Sequence, residues 1–396
     1  MAENLRPSPG APSNDGTALS PQGEGLIDGI PLAKVVRPES IEDLSEIIAN
    51  EKGSIVPLGA RTQTYFGNPL RGADCAIDLS GLRRITEYNP ADLTVHVQAG
   101  VTLGQLQQAL IENNQFLPLD PWNGPNATMG AIAAANAQGP FRAVGTIRDW
   151  IIGMKVVEVT GRISKAGGRV VKNVTGYDLH KLYTGSIGTL AIIAEVSFKL
   201  RAKFGRTATS IAKAADVSGA ARLVASVRHS ALEPVACEWV GPENEIWVRF
   251  GEHPSAVDWQ LKNLPPADWT ILEGSEESAA WERLRSRYDR LRPIVLRIVG
   301  LPTSTHEIIK EYRPPGWIAH ALNGIVLAEV WTAADIWRVR EKYRAVIERA
   351  PLEIRRDLPT FGLNDAEYNL MNKMKHAFDP EGRLNAGRHV DGERNQ

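Results

Sequence analysis

Cysteine is scarce: Cys75 and Cys237 are the two in 396 residues. Two thiols cannot make a disulfide framework, a thiolate zinc site or an iron–sulfur cluster held by one chain, and they fit a reducing compartment. Long apolar runs are missing, so no transmembrane helix is expected. Charge of one sign is missing as well: Lys plus Arg number 45 and Asp plus Glu 46, a net charge of −1. That balance offers no footprint for nucleic acid and no polybasic membrane anchor. Residues 1–25 have no aromatic side chain and no apolar signal core, but do have Pro7, Pro9, Pro12 and Pro21. They read as a disordered tail, not a secretory signal. The expected location is cytoplasmic, or peripheral on a membrane through partner subunits.

Familiar motifs are absent too. No G-x-G-x-x-G follows a strand, no G-x-x-x-x-G-K-[ST] occurs, and no G-x-S-x-G elbow occurs. His306, Glu307 and Lys310 fall short of a zinc-protease helix because Lys310 stands where the second histidine belongs. The eight histidines, at 96, 180, 229, 253, 306, 320, 376 and 389, show no ligand spacing, so no metal site is expected.

What is present is an asymmetry. Of ten tryptophans, Trp122 and Trp150 precede residue 200, and the other eight lie between Trp239 and Trp337. The first half is built from Gly, Ala, Val and Thr, the second from bulkier side chains, which suggests two domains. Periodicity predicts strands at 54–58, 75–79, 93–98, 150–160 and 190–200, with helices after Ser40, at 103–110 and at 129–137. Beyond Arg201 it predicts an Ala-rich helix at 210–230, a hairpin at 237–250, helices at 256–264 and 281–290, and strands at 294–299 and 325–330. One helix over 333–350, a strand-like segment after Pro351 and a helix over 365–377 follow.

Three short segments have the composition to surround a phosphate-bearing cofactor. Pro57-Leu58-Gly59-Ala60-Arg61-Thr62-Gln63-Thr64 follows a strand, and small residues there let backbone N–H groups curl into an anion nest, unless it is a plain tight turn. Ala127-Thr128-Met129-Gly130-Ala131 opens a helix, a ready phosphate site or else a close-packed small-residue helix. Gly145-Thr146-Ile147-Arg148-Asp149 is the third, with an Arg148–Asp149 ion pair as the plainer reading. The most distinctive stretch is Gly167-Gly168-Arg169-Val170-Val171-Lys172-Asn173-Val174-Thr175-Gly176-Tyr177-Asp178-Leu179, continuing to Gly185-Ser186-Ile187-Gly188-Thr189-Leu190. Neither helix nor strand periodicity generates it.

Together with Asp78-Leu79-Ser80-Gly81-Leu82, Gln98-Ala99-Gly100-Val101-Thr102-Leu103, Leu117-Pro118-Leu119-Asp120-Pro121, Phe378-Asp379-Pro380 and Leu384-Asn385-Ala386-Gly387, these stretches resemble flavoproteins of the vanillyl-alcohol oxidase and p-cresol methylhydroxylase (PCMH) type. Within that family they are most similar to FAD-binding subunits of bacterial glycolate oxidases. The resemblance is dense over 26–200, good over the last thirty residues and loose between. It implies an α+β chain: a tail at 1–25, a two-lobed PCMH-type FAD-binding domain at 26–203, an α+β cap at 204–350, and a segment at 351–396 returning to the FAD domain.

The resemblance also implies cofactor contacts. Pro57, Gly59, Ala60, Arg61, Thr62 and Gln63 would hold the pyrophosphate. Pro121, Thr128, Met129, Gly130, Ala131, Gly145 and Arg148 would surround the diphosphate and flavin. Lys172, Gly176 and Tyr177 would lie near the flavin edge, Ile192 and Ile193 would use main-chain atoms, and Asn385 would close the site. Ala60 and Arg61 stand where a covalent histidine would matter and Cys75 lies outside the loop, so the FAD is expected to be non-covalent. Related hydroxy-acid dehydrogenases carry G-S-E-G where this chain has Gly185-Ser186-Ile187-Gly188, and no catalytic base is assigned. The function implied is that of an FAD-binding subunit in glycolate or D-lactate oxidation, with a catalytic flavoprotein subunit and an iron–sulfur subunit as partners. A stand-alone FAD oxidoreductase of a hydroxy acid or sugar acid is one alternative. A structural subunit with a vestigial flavin site is the other.

Overall fold

The computed structural model describes residues 25–168, 177–291 and 293–390. Lys172 and Gly176 lie outside the described residues. The chain is mixed α+β, built on three principal sheets. Near the N-terminus, Val35–Val36, Cys75–Asp78 and Ile55–Leu58 form a parallel sheet with Cys75–Asp78 in the middle. The connection between the outer two is the helix Ile41–Asn50, capped by Ser40, whose side chain accepts the Asp43 N–H. Its Ile41, Leu44 and Ile48 fall on one face and are buried with Ile55, Cys75 and Ile77. Cys75 is a small apolar core residue, and burial pushes its thiol up to about 11.

Next comes an antiparallel five-stranded sheet in the order Ile163–Gly167, Ile151–Val157, Ile192–Lys199, Thr94–Gln98, Ile85–Asn89. The central strand Ile192–Lys199 is buried along nearly all its length, its two polar side chains satisfied by neighbours: Glu195 pairs with Lys155 (2.7 Å) and Ser197 Oγ lies 2.6 Å from His96 Nδ1. The helices Leu103–Ile111 and Met129–Ala135 pack their apolar sides into the core beside it.

The third sheet has eight antiparallel strands: Thr270–Leu272, Arg206–Lys213, Glu245–Glu252, Ala236–Gly241, Trp317–His320, Ile325–Val330, Ile294–Val299 and Arg344–Arg349. Strand alternation separates its two faces. Trp239, Val248, Leu296, Ile298, Ala319 and Val326 point to the face covered by the helices Val217–His229, Thr305–Tyr312 and Ala333–Arg340. Val240, Trp247, Val295, Ile318 and Leu327 point the other way, where Trp122 and the helix Gly274–Arg290 cover them. We call this second face the inner face.

Several sequence expectations are corrected. Residues 210–213 are strand, not helix: Arg206–Lys213 is inserted between two strands and only Val217–His229 is helical. The helix expected over 333–350 stops at Arg340, and Arg344–Arg349 is an edge strand paired with Ile294–Val299. Its apolar residues Ala345, Val346 and Ile347 are needed on both faces of that sheet, which a helix would not provide. The segment after Pro351 is the helix Leu352–Asp357 rather than strand.

The C-terminal part returns to the N-terminal sheet. Ile55 N–H donates to Arg383 O (2.8 Å), Asn385 N–H donates to Ile55 O (2.8 Å), and Leu384 is completely buried. Lys375 is buried with its Nζ on Asp379 Oδ2 at 2.6 Å and on the carbonyls of Thr189 and Leu384 at 2.9 Å each. Asp28, buried near the N-terminus, pairs with Arg355 (2.6 Å) and Arg388 (2.9 Å). These contacts fix one wall of the cleft described next. No helix among the described residues is long and apolar enough to cross a membrane.

Candidate functional site

A cleft open at its mouth runs between the parallel sheet, the N-terminus of Met129–Ala135 and the returning C-terminal segment. One wall is the loop that leaves the strand Ile55–Leu58. Ten expected residues line the cleft: Pro57, Gly59, Arg61, Thr62, Gln63, Thr128, Gly130, Ala131, Ile193 and Asn385. The backbone N–H groups of 59–63 donate to no acceptor among the described residues. Consecutive free amides on a loop make an anion nest. Arg61 takes φ 57°, and its Nη2 is buried without a partner; Gln63 Oε1 and Asn385 Oδ1 are likewise unsatisfied. Buried polar atoms of this kind require a ligand or water.

Glycine is needed where the loop meets the facing wall. A Cβ at Gly59 would lie 2.2 Å from Thr128 Oγ1. The helix at Thr128 works differently from expectation. Met129 N–H donates to Val101 O (2.8 Å) and Gly130 N–H to Ala99 O (2.9 Å), so these two amides are not free for phosphate. A Cβ at Gly130 would sit 2.6 Å from Ala99 Cβ. The small residues here serve close packing, and the cleft is shaped by the absence of side chains.

The other expected residues lie elsewhere. Met129 and Ile192 are buried in the two neighbouring cores. Pro121 is buried, Ala60 and Arg148 are exposed, Gly145 packs on the Trp150 ring, and Tyr177 is 89% exposed; none of these seven residues lines the cleft. Arg148 and Asp149 do not form the expected ion pair. Asp149 Oδ2 instead accepts from Thr146 N–H (2.8 Å) and Oγ1 (2.7 Å), capping the short helix Ile147–Trp150.

Sequence reasoning missed Phe66, Ile187, Gly188 and Arg388, which also line the cleft. Ile187 is a β-branched residue at φ 55°, a conformation that needs outside support. The support is visible: its N–H donates to Ala134 O (2.8 Å) and its carbonyl accepts from Asn385 Nδ2 (2.6 Å). The flanking glycines of 185–188 were the available signal.

Beyond Phe66 lies the inner face of the eight-stranded sheet. Trp122 stacks on Tyr288 with centroids 4.8 Å apart, and on His320 at 5.9 Å. His320 Nδ1 is 2.9 Å from Glu238 Oε1, and both side chains are buried. Burial pushes the Glu238 carboxyl up against the opposing pull of His320. Asp120, on the loop before Trp122, is pushed up to about 8 by desolvation, with the Phe141 N–H to its Oδ1 (2.9 Å) pulling the other way.

Comparison with known proteins identifies a cofactor. A family profile described as an FAD binding domain matches residues 32–167. The chain carries an FAD-binding domain. It is 28% identical over 253 residues to glycolate oxidase subunit GlcE of Escherichia coli K12, covering 62% of this chain and 67% of that protein. It is 38% identical over 173 residues to a mitochondrial D-lactate dehydrogenase [cytochrome] of Arabidopsis thaliana, covering 42% of this chain and 30% of that protein. With glycolate oxidase subunit GlcD of Bacillus subtilis it shares 29% identity, covering 56% of this chain and 47% of that protein. The chain thus spans less than half the length of the latter two. Alkyldihydroxyacetonephosphate synthase has the same fold, at a TM-score of 0.63 and 15% identity over 89% of this chain and 75% of that one. The glycine-lined FAD-binding domain accounts for the small-residue, tryptophan-poor first half of the sequence.

Proposed function

We propose that this chain holds FAD non-covalently in the cleft and takes part, as a subunit of a larger complex, in oxidising a small 2-hydroxy acid such as glycolate or D-lactate. The observation that carries the reading is the loop at 59–63, with free amides facing a wall that only glycine at 59 can approach. Thr62, Gln63 and Arg61 would hold the pyrophosphate, and Gly130, Ala131, Ile193 and Asn385 would bound the rest. Bound FAD supplies the two-electron acceptor for the oxidation. The chain's own residues cradle the dinucleotide with backbone groups, bury its phosphates beside Arg61, and exclude water from the side closed by Phe66 and Ile187.

The cleft lining includes no histidine or cysteine, which supports non-covalent binding. The similarity to GlcE and GlcD supports a complex containing a second flavoprotein. With two buried cysteines, this chain leaves an iron–sulfur centre to a separate subunit. The domain division at 26–203, 204–350 and 351–396 fits the change from the five-stranded to the eight-stranded sheet. A cytoplasmic location, with membrane attachment through partners, is part of the same proposal.

Purification of the full chain tests this reading. It predicts a yellow protein with about one FAD per chain, and acid precipitation that leaves the colour in the supernatant. A colourless chain that takes up no added FAD overturns the cofactor assignment, and colour in the pellet overturns non-covalent binding. Glycolate-dependent dye reduction by the chain alone overturns the subunit role.

A further inference from the structure

The segment Asp120-Pro121-Trp122-Asn123-Gly124 touches both the inner face of the eight-stranded sheet and the loop of the FAD cleft. Trp122 anchors it on the inner face, stacked on Tyr288 and His320. The turn is closed by Gly124 N–H donating to Pro121 O (2.9 Å), with Gly124 at φ 74°, a conformation that favours glycine. Between these two fixed points Asn123 reaches back to the cleft. Its Nδ2 donates to Thr62 Oγ1 at 3.1 Å, across 61 residues of sequence. Thr62 lines the cleft and Asn123 does not.

That bond fixes what the Thr62 hydroxyl can offer. A hydroxyl has one proton to give and two lone pairs to accept with. One lone pair is taken by Asn123 Nδ2, and no described residue accepts the proton. Thr62 is half-buried in the cleft wall, so its proton is available there, beside the free amides of 59–63. A donor feeding the oxygen also polarises the O–H and strengthens what it gives. With the Asn123 amide turned over, its oxygen would take the Thr62 proton and leave lone pairs facing an anion. Asn123 Oδ1 is itself buried with no partner. An unmet buried acceptor costs stability that an apolar side chain of similar shape would avoid. An amide kept here at that cost points to the work of its Nδ2.

We propose that Asn123 is a positioning residue for the cofactor: it holds the Thr62 hydroxyl so that its proton goes to a phosphate oxygen of the dinucleotide. This rests on the reading that the loop at 59–63 holds the pyrophosphate of FAD, and deepens it by naming the group outside the cleft that orients the loop. Because Trp122 is seated on the inner face, the same arm ties the phosphate loop to the eight-stranded sheet.

Calorimetric titration of the full chain, freed of flavin, with FAD tests the role, with urea unfolding of each flavin-free variant alongside. Thr62→Val should weaken FAD binding about tenfold or more, the loss expected for a hydrogen bond to a charged group. Asn123→Ala should weaken it about three- to tenfold on the wild-type background and not at all on the Thr62→Val background, because it acts only through that hydroxyl. Asn123→Asp keeps the shape but can only accept, so it turns the Thr62 proton away from the phosphate and should bind FAD more weakly than Asn123→Ala. A merely structural contact would lower the stability of the flavin-free chain and leave its FAD affinity unmoved. Unchanged FAD affinity in both Asn123 variants overturns the positioning role, as does an Asn123→Ala loss that persists in full beside Thr62→Val. A wild-type chain that takes up no FAD overturns the cofactor assignment and this role together.

Discussion

Asp120 sets a pH dependence that can be worked from its surroundings. It keeps a little exposed area but lies deep within the chain, and desolvation raises its carboxyl from 3.8 to about 8. In the unfolded chain the group is ionised above pH 5; in the folded chain it stays protonated until about pH 8. The folded state therefore binds one more proton across that window. The stabilisation from Asp120 is complete below about pH 4 and is lost as pH rises towards 8, at about 1 kcal/mol per pH unit. Its partial access to water argues for the lower end of the total, about 2 kcal/mol between pH 5 and pH 8. Asp120→Asn keeps an oxygen for the Phe141 N–H and removes the titration. Urea unfolding of both proteins at pH 5, 6, 7 and 8 should show the wild type losing stability relative to the variant as pH rises. A wild-type-minus-variant difference that is constant from pH 5 to pH 8 refutes the assignment of a raised Asp120.

Three further outcomes follow from the packing. Gly59→Ala drives a methyl group into Thr128 Oγ1, and an overpacking cost of about 1–3 kcal/mol should appear as weaker FAD retention. Adding Thr128→Ala should restore part of it, read from the 450 nm absorbance after gel filtration. Lys375→Met leaves Asp379 buried without its cation and should cost about 3 kcal/mol in urea unfolding, less than a fully orphaned carboxylate because Arg383 N–H and Leu384 N–H still donate to it. Trp122→Ala removes the ring stacked between Tyr288 and His320 and should destabilise the chain by about 3 kcal/mol, measured by thermal unfolding.

Parts of this protein are readable from local sequence because the determinants are local. The turn after Ile55–Leu58 is marked by Gly59 and its small neighbours, and the FAD-binding domain follows from motifs in chain order. Other features depend on partners far away in sequence. Arg344–Arg349 looks helical beside Ala333–Arg340 until Ile294–Val299 offers it an edge. Met129 and Gly130 look like free helix amides until Val101 and Ala99 supply carbonyls. Ile187 looks like a failed acidic motif until Asn385, 198 residues away, holds its carbonyl. The scattered histidines hid His320, because its partner Glu238 is 82 residues distant and meets it only through the register of two strands.

The same register explains why the tryptophans gather late in the chain. An FAD cradle must let backbone approach phosphate, and large side chains obstruct that, so bulk is displaced from residues 26–200. The eight-stranded sheet has two faces to fill. Trp239 and Trp317 close the outer face beneath helices, while Trp247, Trp281 and the incoming Trp122 close half of the inner face. Past His320 the apolar pattern continues with Leu327, Val295 and Val346, so the late tryptophans fill only the half of the inner face that lies farthest from Phe66, where the sheet is covered by Trp122 and the helix Gly274–Arg290.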